Sequence, residues 1–371
     1  MIASLSKQAM MKQVMKNLKN RHQFQTYIVA TISMCVLFLM PTSSFATTTP
    51  SIFDLMNHQE VLEVTMTGDF ETLKTNRRSG DGQIVALYFI DATGQQQTWN
   101  TSITLRGNYR RMRCTAMPPM KLNFKKSELK EAGLAKFDDM KLVTQCMEED
   151  EDSKAIILKE YLAYKLYNEL TTNSFRVQLL KITYIDTNTE STIEQWGFLI
   201  EDTAQMRHRI TAEKSKQERG FSARDFHSEN FYTTAVFQYM IGNSDWDSTI
   251  GRNIKVVSKD GKYLAIPYDF DFSGLVDASY ALPNANYGMT SIQERIYMGF
   301  EQDLENLDAT VSYFNTKKKA LKNTVKAFKV LRAKDRRATL YYLDAFFNTN
   351  NEIEYRPKKV SAAPTVEAQI D

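Results

Sequence analysis

Asn243, Asp245, Asn253, Asp269 and Asp271 all fall within residues 239–274, and their types suit one kind of chemistry. Carboxylate and amide oxygens are the ligands that a hard divalent cation prefers, and a carboxylate set beside a hydroxyl can take its proton. Phosphoryl transfer asks a protein for little beyond those two services and a fixed geometry. Taken singly, each of these residues is also an ordinary turn former. Taken together, with Tyr268-Asp269-Phe270-Asp271 setting two carboxylates directly after an apolar run, they favour a site.

The elements that must position them can be read from the same stretch. Asp260-Gly261 between two runs rich in strand formers, 254–258 and 263–267, predicts an antiparallel hairpin with a two-residue turn. In that register Lys259 faces Lys262, and Asn253 falls opposite Tyr268 and diagonal to Asp269, so an amide oxygen and a carboxylate could share one cation at the hairpin's open end. Residues 231–241 read as a buried helix, which leaves Asn243 and Asp245 in the loop that enters the hairpin. Helix, loop with Asp, strand opening on Asn, tight turn and strand ending on Asp is also the order in which kinase-like folds bring a base and metal ligands to ATP.

Upstream lie further candidates. Arg106, Arg110, Arg111 and Arg113 surround Gly107, a composition that suits either a phosphate-gripping turn or an arginine-rich loop lying on the protein's own acidic face. In 118–124, PPMKLNF, the alternation predicts a strand that buries Met120, Leu122 and Phe124 and turns Lys121 to the other side, toward nucleotide phosphates or toward solvent. Lys141 is a second strand lysine. An acidic run at 148–152 precedes a helix over 154–170, with Glu160 at the border of its apolar face. Glu160 is there either to fix the strand lysine or as an exposed glutamate. A strand over 195–201 ends in Glu201, where a nucleotide base would be expected to sit between two lobes.

The chain has 371 residues and a formal charge of +3, but residues 1–46 carry five basic residues and no acid, which leaves 42 basic against 44 acidic beyond them. That balance gives no reason to expect nucleic-acid binding. A basic segment, an apolar stretch at 27–40 and Ser44-Phe45-Ala46 read as a Sec-type signal peptide cleaved after Ala46, with export to the periplasm or the medium and no stable membrane span afterwards. Cys114 and Cys146 are then the remaining cysteines, and an oxidising compartment favours a disulfide between them over two buried thiols. No zinc-type Cys and His spacing is present. Ser291 and Glu294 have the spacing of a capping box ahead of helices that extend to about residue 347, and 357–371 reads as a disordered tail.

From residue 106 to about 274 the chain resembles the CotH-type atypical kinases, secreted or spore-coat proteins distantly similar to protein and lipid kinases. Arg106-Gly107 followed by PPMKLNF, the helix after the acidic run, the strand over 197–201, and Asn-x-Asp, Asn and Asp-x-Asp in order carry the resemblance. It implies an α+β, two-lobed protein-kinase-like fold, with a strand-rich N-lobe over 47–202 and a mainly helical C-lobe over 203–356. It further implies ATP with Mg²⁺ or Mn²⁺, and transfer to a Ser or Thr hydroxyl of a protein. Lys121 would contact the phosphates, Asp245 would orient or deprotonate the acceptor, Asn253 and Asp269 would hold metal, and Asp271 would assist. One departure is that Asp245 and Asn253 are eight apart where the family usually has five, with Asp247 between them. The loop absorbs the insertion, or Asp247 is the acid, or activity has been lost. A second is Tyr268 where Trp is common. Three functions stand as expectations: a secreted kinase acting on a protein substrate, an inactive binding module for an envelope partner, and a metal-dependent phosphoesterase that uses no ATP.

Overall fold

Alternating apolar residues along the first half of the chain produce a curved sheet that closes on itself. In the computed structural model, which describes residues 49–107, 109–147, 151–300 and 304–348 together with Lys16 and Ile353, seven strands form this barrel. They are β1 (Val61–Gly68), β2 (Gln83–Ile90), β3 (Gln96–Leu105), β4 (Met120–Phe124), β5 (Asp139–Thr144), β6 (Val177–Asp186) and β7 (Thr192–Ile200). The order around the barrel is β1-β2-β3-β4-β5-β7-β6, and β6 closes it by pairing in parallel with β1, Val61 opposite Leu179. Closure leaves no free edge for another chain to extend. Leu62, Val64 and Met66 of β1, Val85, Leu87 and Phe89 of β2, and Met120, Leu122 and Phe124 of β4 meet in one buried cluster.

The helices are α1 (Ile52–Met56), α2 (Phe70–Thr75), α3 (Tyr109–Arg113), α4 (Lys126–Glu131), α5 (Glu151–Leu170), α6 (Thr203–Arg209), α7 (Ser228–Met240), α8 (Leu304–Ala327) and α9 (Ala333–Phe347). A three-stranded antiparallel sheet, β8 (Glu213–Lys214), β9 (Ile254–Lys259) and β10 (Lys262–Pro267), lies in the order β10-β9-β8. The larger core runs without a break from Val143 of β5, through Tyr161 and Tyr164 of α5 and Phe237 of α7, to Phe346 of α9. The described residues from 49 onward form one unit by their contacts.

The expected α+β, two-lobed fold with a strand-rich N-lobe and a mainly helical C-lobe is therefore corrected. The first strands close into a barrel instead of forming an open sheet, and the second half contributes a sheet of its own. The physical reason is the parallel β1–β6 pairing, a contact between segments far apart in sequence that local hydrophobic period does not report. The capping-box expectation is corrected too. Glu294 accepts hydrogen bonds from the Thr290 and Ser291 backbone, but these close a turn, and residues 291–300 contain no helix. The residues of the expected signal peptide, apart from Lys16, and the tail 357–371 lie outside the described residues, as do 148–150 of the acidic run. Among the described residues, no helix is long and apolar enough to cross a membrane.

Cys114, just after α3, and Cys146, just after β5, lie at disulfide-bonding distance, as their count and setting suggested. The bond ties α3 to the chain that leads into α5. Cross-linking a loop of this size contributes about 3–4 kcal/mol by restricting the unfolded chain. Replacing both cysteines with serine should lower the free energy of urea unfolding by about that amount. An unchanged urea midpoint would show that the bond contributes nothing.

Candidate functional site

The hairpin forms in the expected register, with Lys262 opposite Lys259 and Pro267 opposite Ile254. Asp260 and Gly261 at its tip have φ of 48° and 79°, the two positive values that a type I′ turn requires. Beyond the last ladder pair, the Tyr268 N–H donates to the Asn253 carbonyl at 3.1 Å. Asn253 and Asp269 themselves have φ of 51° and 66°. This left-handed backbone is strained for most side chains and tolerated best by Asn and Asp. The chain thus bends sharply at both sides of the hairpin's open end. The Asp269 N–H donates to the Tyr164 hydroxyl of α5 at 2.9 Å, which ties that bend to the barrel-side helix.

Asn243 serves the loop more than the site. Its amide donates to the Gln238 side chain at 3.0 Å, and its Oδ1 accepts from the Asp245 N–H at 2.9 Å, so it sets the backbone from which Asp245 projects. Asp245 in turn accepts from the Asn253 Nδ2 at 3.0 Å and pairs with Arg252 at 2.8 Å. Burial raises the Asp245 pKa above the ordinary aspartate value, Arg252 opposes this, and Asp269 adds to it. A carboxylate moved toward neutrality is better suited to accept a proton at physiological pH.

Arg106, Asp245, Asn253, Asp269 and Asp271 line one cavity of about 480 Å³, with Arg110 at its base. The size lies within the range of small-molecule sites. Tyr109, Phe272 and Tyr280 form its apolar side, their ring centroids 5.6–5.8 Å apart. Beneath them is a buried ion cluster. The Arg110 Nε donates to Asp271 Oδ2 at 2.9 Å, and its Nη2 pairs with Glu160 Oε2. The Tyr280 hydroxyl donates to the same Asp271 oxygen at 3.2 Å. Burial pushes Glu160 up to about 8, against the pull of Arg110, and raises Asp271 for the same reason. Glu160, Asp269 and Asp271 each offer an oxygen within 4.8 Å of the others. Three hard donors around one point fit a divalent ion such as Mg²⁺ or Mn²⁺.

The remaining sequence candidates fall elsewhere. Lys121 pairs with Asp139 at 2.9 Å, with both side chains more than 40% exposed, and does not line the cavity. Its cross-strand neighbour Lys141 lies 4.4 Å from the Tyr268 ring centroid and 5.6 Å from that of Phe175. Glu201 is fully buried, its carboxylate held by Arg176 at 2.9 Å and Arg209 at 2.6 Å, away from the cavity. Asp247 accepts from the Thr249 N–H at 2.8 Å in a local turn, outside the cavity lining. Glu160, expected at the border of a helix face, is instead fully buried. The arginine-rich segment divides between its two readings: Arg106 faces the cavity, and Arg110 lies on the protein's own acids. Tyr280, the hydrogen bond of Tyr164 to Asp269 and the pairing of Arg110 with Glu160 escaped the sequence reading, which places Tyr164 only on the apolar face of its helix, because each depends on contacts between distant segments or on a loop without regular period.

No family model matches the chain, and no curated protein matches it.

Loss of hydration and the nearby Arg106 lower the Lys141 pKa to about 8, and Asp269 partly offsets them. A lysine whose pKa falls on folding holds fewer protons in the folded chain between about pH 8 and its ordinary value, so its contribution makes stability rise through that window. Urea unfolding of the parent chain at pH 7.5 and 9.5 should show this rise, and Lys141→Met should reduce it by roughly 1–2 kcal/mol. Equal pH slopes in the two proteins would rule out the shift.

Proposed function

We propose that the cavity binds a nucleoside triphosphate with Mg²⁺ or Mn²⁺ and transfers the terminal phosphoryl group to a hydroxyl, with a protein Ser or Thr as acceptor. The observation that supports this most is that the residues at both sides of one hairpin's open end, Asn253 and Asp269, line the same cavity as Asp245, Asp271 and Arg106. A bound divalent ion would neutralise charge on the phosphate oxygens. Asp269 and Asp271 would hold that ion, with the Asn253 amide oxygen beside them. Arg106 at the cavity wall offers a guanidinium to phosphate oxygens. Lys121, first assigned to the phosphates, is engaged by Asp139 instead, and Lys141, which does not line the cavity either, adds positive charge near Asp269. Asp245 accepts the proton of the attacking hydroxyl, and Asn253 orients it through the 3.0 Å hydrogen bond.

The apolar side formed by Tyr109, Phe272 and Tyr280 gives a flat base a surface to rest on, which favours a nucleotide over a bare phosphoester. We also infer that the protein works outside the cytoplasm. Residues 1–46 have the composition of an export signal, and a Cys114–Cys146 bond persists best in an oxidising compartment.

Thermal-shift titration with ATP and Mn²⁺ tests the nucleotide and the metal together. A further rise when ATP is added to the Mn²⁺-loaded protein, abolished by Asp269→Ala, is the expected result. A response to metal to which ATP adds nothing would favour a phosphoesterase, and no response to either would favour an inactive binding module. For the chemical step, Asp245→Ala should lower phosphoryl transfer by about 10²–10³-fold, while Asp247→Ala should change it less than about threefold. The reverse ranking, measured by autophosphorylation, would move the base to Asp247.

A further inference from the structure

We infer that the cavity takes a single divalent cation, because the guanidinium of Arg110 fills the place of a second. This rests on the cation reading above. Arg110 bridges two of the three clustered carboxylates, meeting Asp271 Oδ2 from both Nε and Nη2 at 2.9 Å and meeting Glu160 Oε2 from Nη2. Paired metal ions in phosphoryl-transfer sites stand about 3.5–4 Å apart. The donor atoms of Glu160, Asp269 and Asp271 all lie within 4.8 Å of one another, so a guanidinium set across two of them fills that space.

The donors left over number enough for one ion. Glu160 is fully buried and its Oε1 accepts no hydrogen bond from a described residue, although its other oxygen faces Arg110. A buried carboxylate oxygen without a partner is costly, and a cation is the partner that its charge prefers. No hydrogen bond or ion pair to a described residue engages the Asp269 carboxylate. Charge gives the same answer for the nucleotide-free protein once cation binding has drawn off the carboxyl protons: three carboxylates against one guanidinium then leave two negative charges, which one divalent ion neutralises. Glu160, fully buried and outside the cavity lining, is thereby assigned as a ligand of that ion through its place beside Asp269 and Asp271.

Counting bound Mn²⁺ on the full chain by electron paramagnetic resonance tests this directly, with no dependence on turnover. The parent protein should bind one Mn²⁺, Arg110→Met should bind two, and Glu160→Gln should bind its ion at least tenfold more weakly. Two ions on the parent chain would leave the cation reading intact and overturn this inference. One ion on a folded Arg110→Met, or unchanged affinity in Glu160→Gln, would overturn it as well. No Mn²⁺ on the parent chain would instead remove the reading on which it rests. Should Arg110→Met fail to fold, the parent stoichiometry still distinguishes one ion from two, and the Glu160→Gln affinity still tests Glu160 as a ligand.

Discussion

A buried guanidinium between two buried carboxylates is the constraint around which this half of the molecule is arranged. Arg110 comes from the short helix after β3, Glu160 from the long helix α5, and Asp271 from the segment that follows the hairpin, so one side chain joins three parts of the chain. Deleting one member of such a group leaves an unpaired charge in a medium that solvates it poorly, at a cost of about 3–5 kcal/mol. The surroundings keep the group in place. The bond between Cys114 and Cys146 holds the end of α3, Tyr280 donates to Asp271, and Tyr164 fixes the backbone of Asp269 from the same helix that carries Glu160. Several independent contacts thus hold the buried cluster, while Asp245 and Arg106 in the cavity lining are more open to solvent.

The parts of this arrangement that were legible in the sequence are those governed by short-range rules. Asp260-Gly261 announced the turn, two residues with positive φ followed, and the register placed Asn253 opposite Tyr268. The alternation in 118–124 correctly named the buried Met120, Leu122 and Phe124. It could not choose between Lys121 and Lys141. Those two residues are paired across β4 and β5 and so share a face of the sheet; what separates them is which strand the rest of the protein covers. Lys121 stays in solvent with Asp139, whereas Lys141 lies against Tyr268 and Phe175. Periodicity reports the face a side chain takes, and only the tertiary fold reports what stands in front of it.

The same limit explains Glu160 and Glu201. Both are fully buried carboxylates with arginine partners, and nothing in their neighbourhoods of sequence distinguishes them from surface glutamates. Glu201 is satisfied by two arginines and has no oxygen to spare, so it organises the end of β7. Glu160 has one arginine and one oxygen without a described partner. That difference of a single partner separates a carboxylate with a structural task from one open to a ligand.

The parallel seam between β1 and β6 has a consequence for how the chain acquires its shape. Val61 must find Leu179, and every residue between them is made before that meeting can occur. As the chain emerges N-terminus first, β1 through β5 can assemble as neighbouring antiparallel strands with one flank open, and the last two strands supply the missing wall. Until then the inner surface of an unfinished cylinder, rich in Val, Leu, Met and Phe, faces water. The covalent tie at 114 and 146 lies wholly inside this long excursion and shortens its effective contour, so it eases the search by which the two distant strands join.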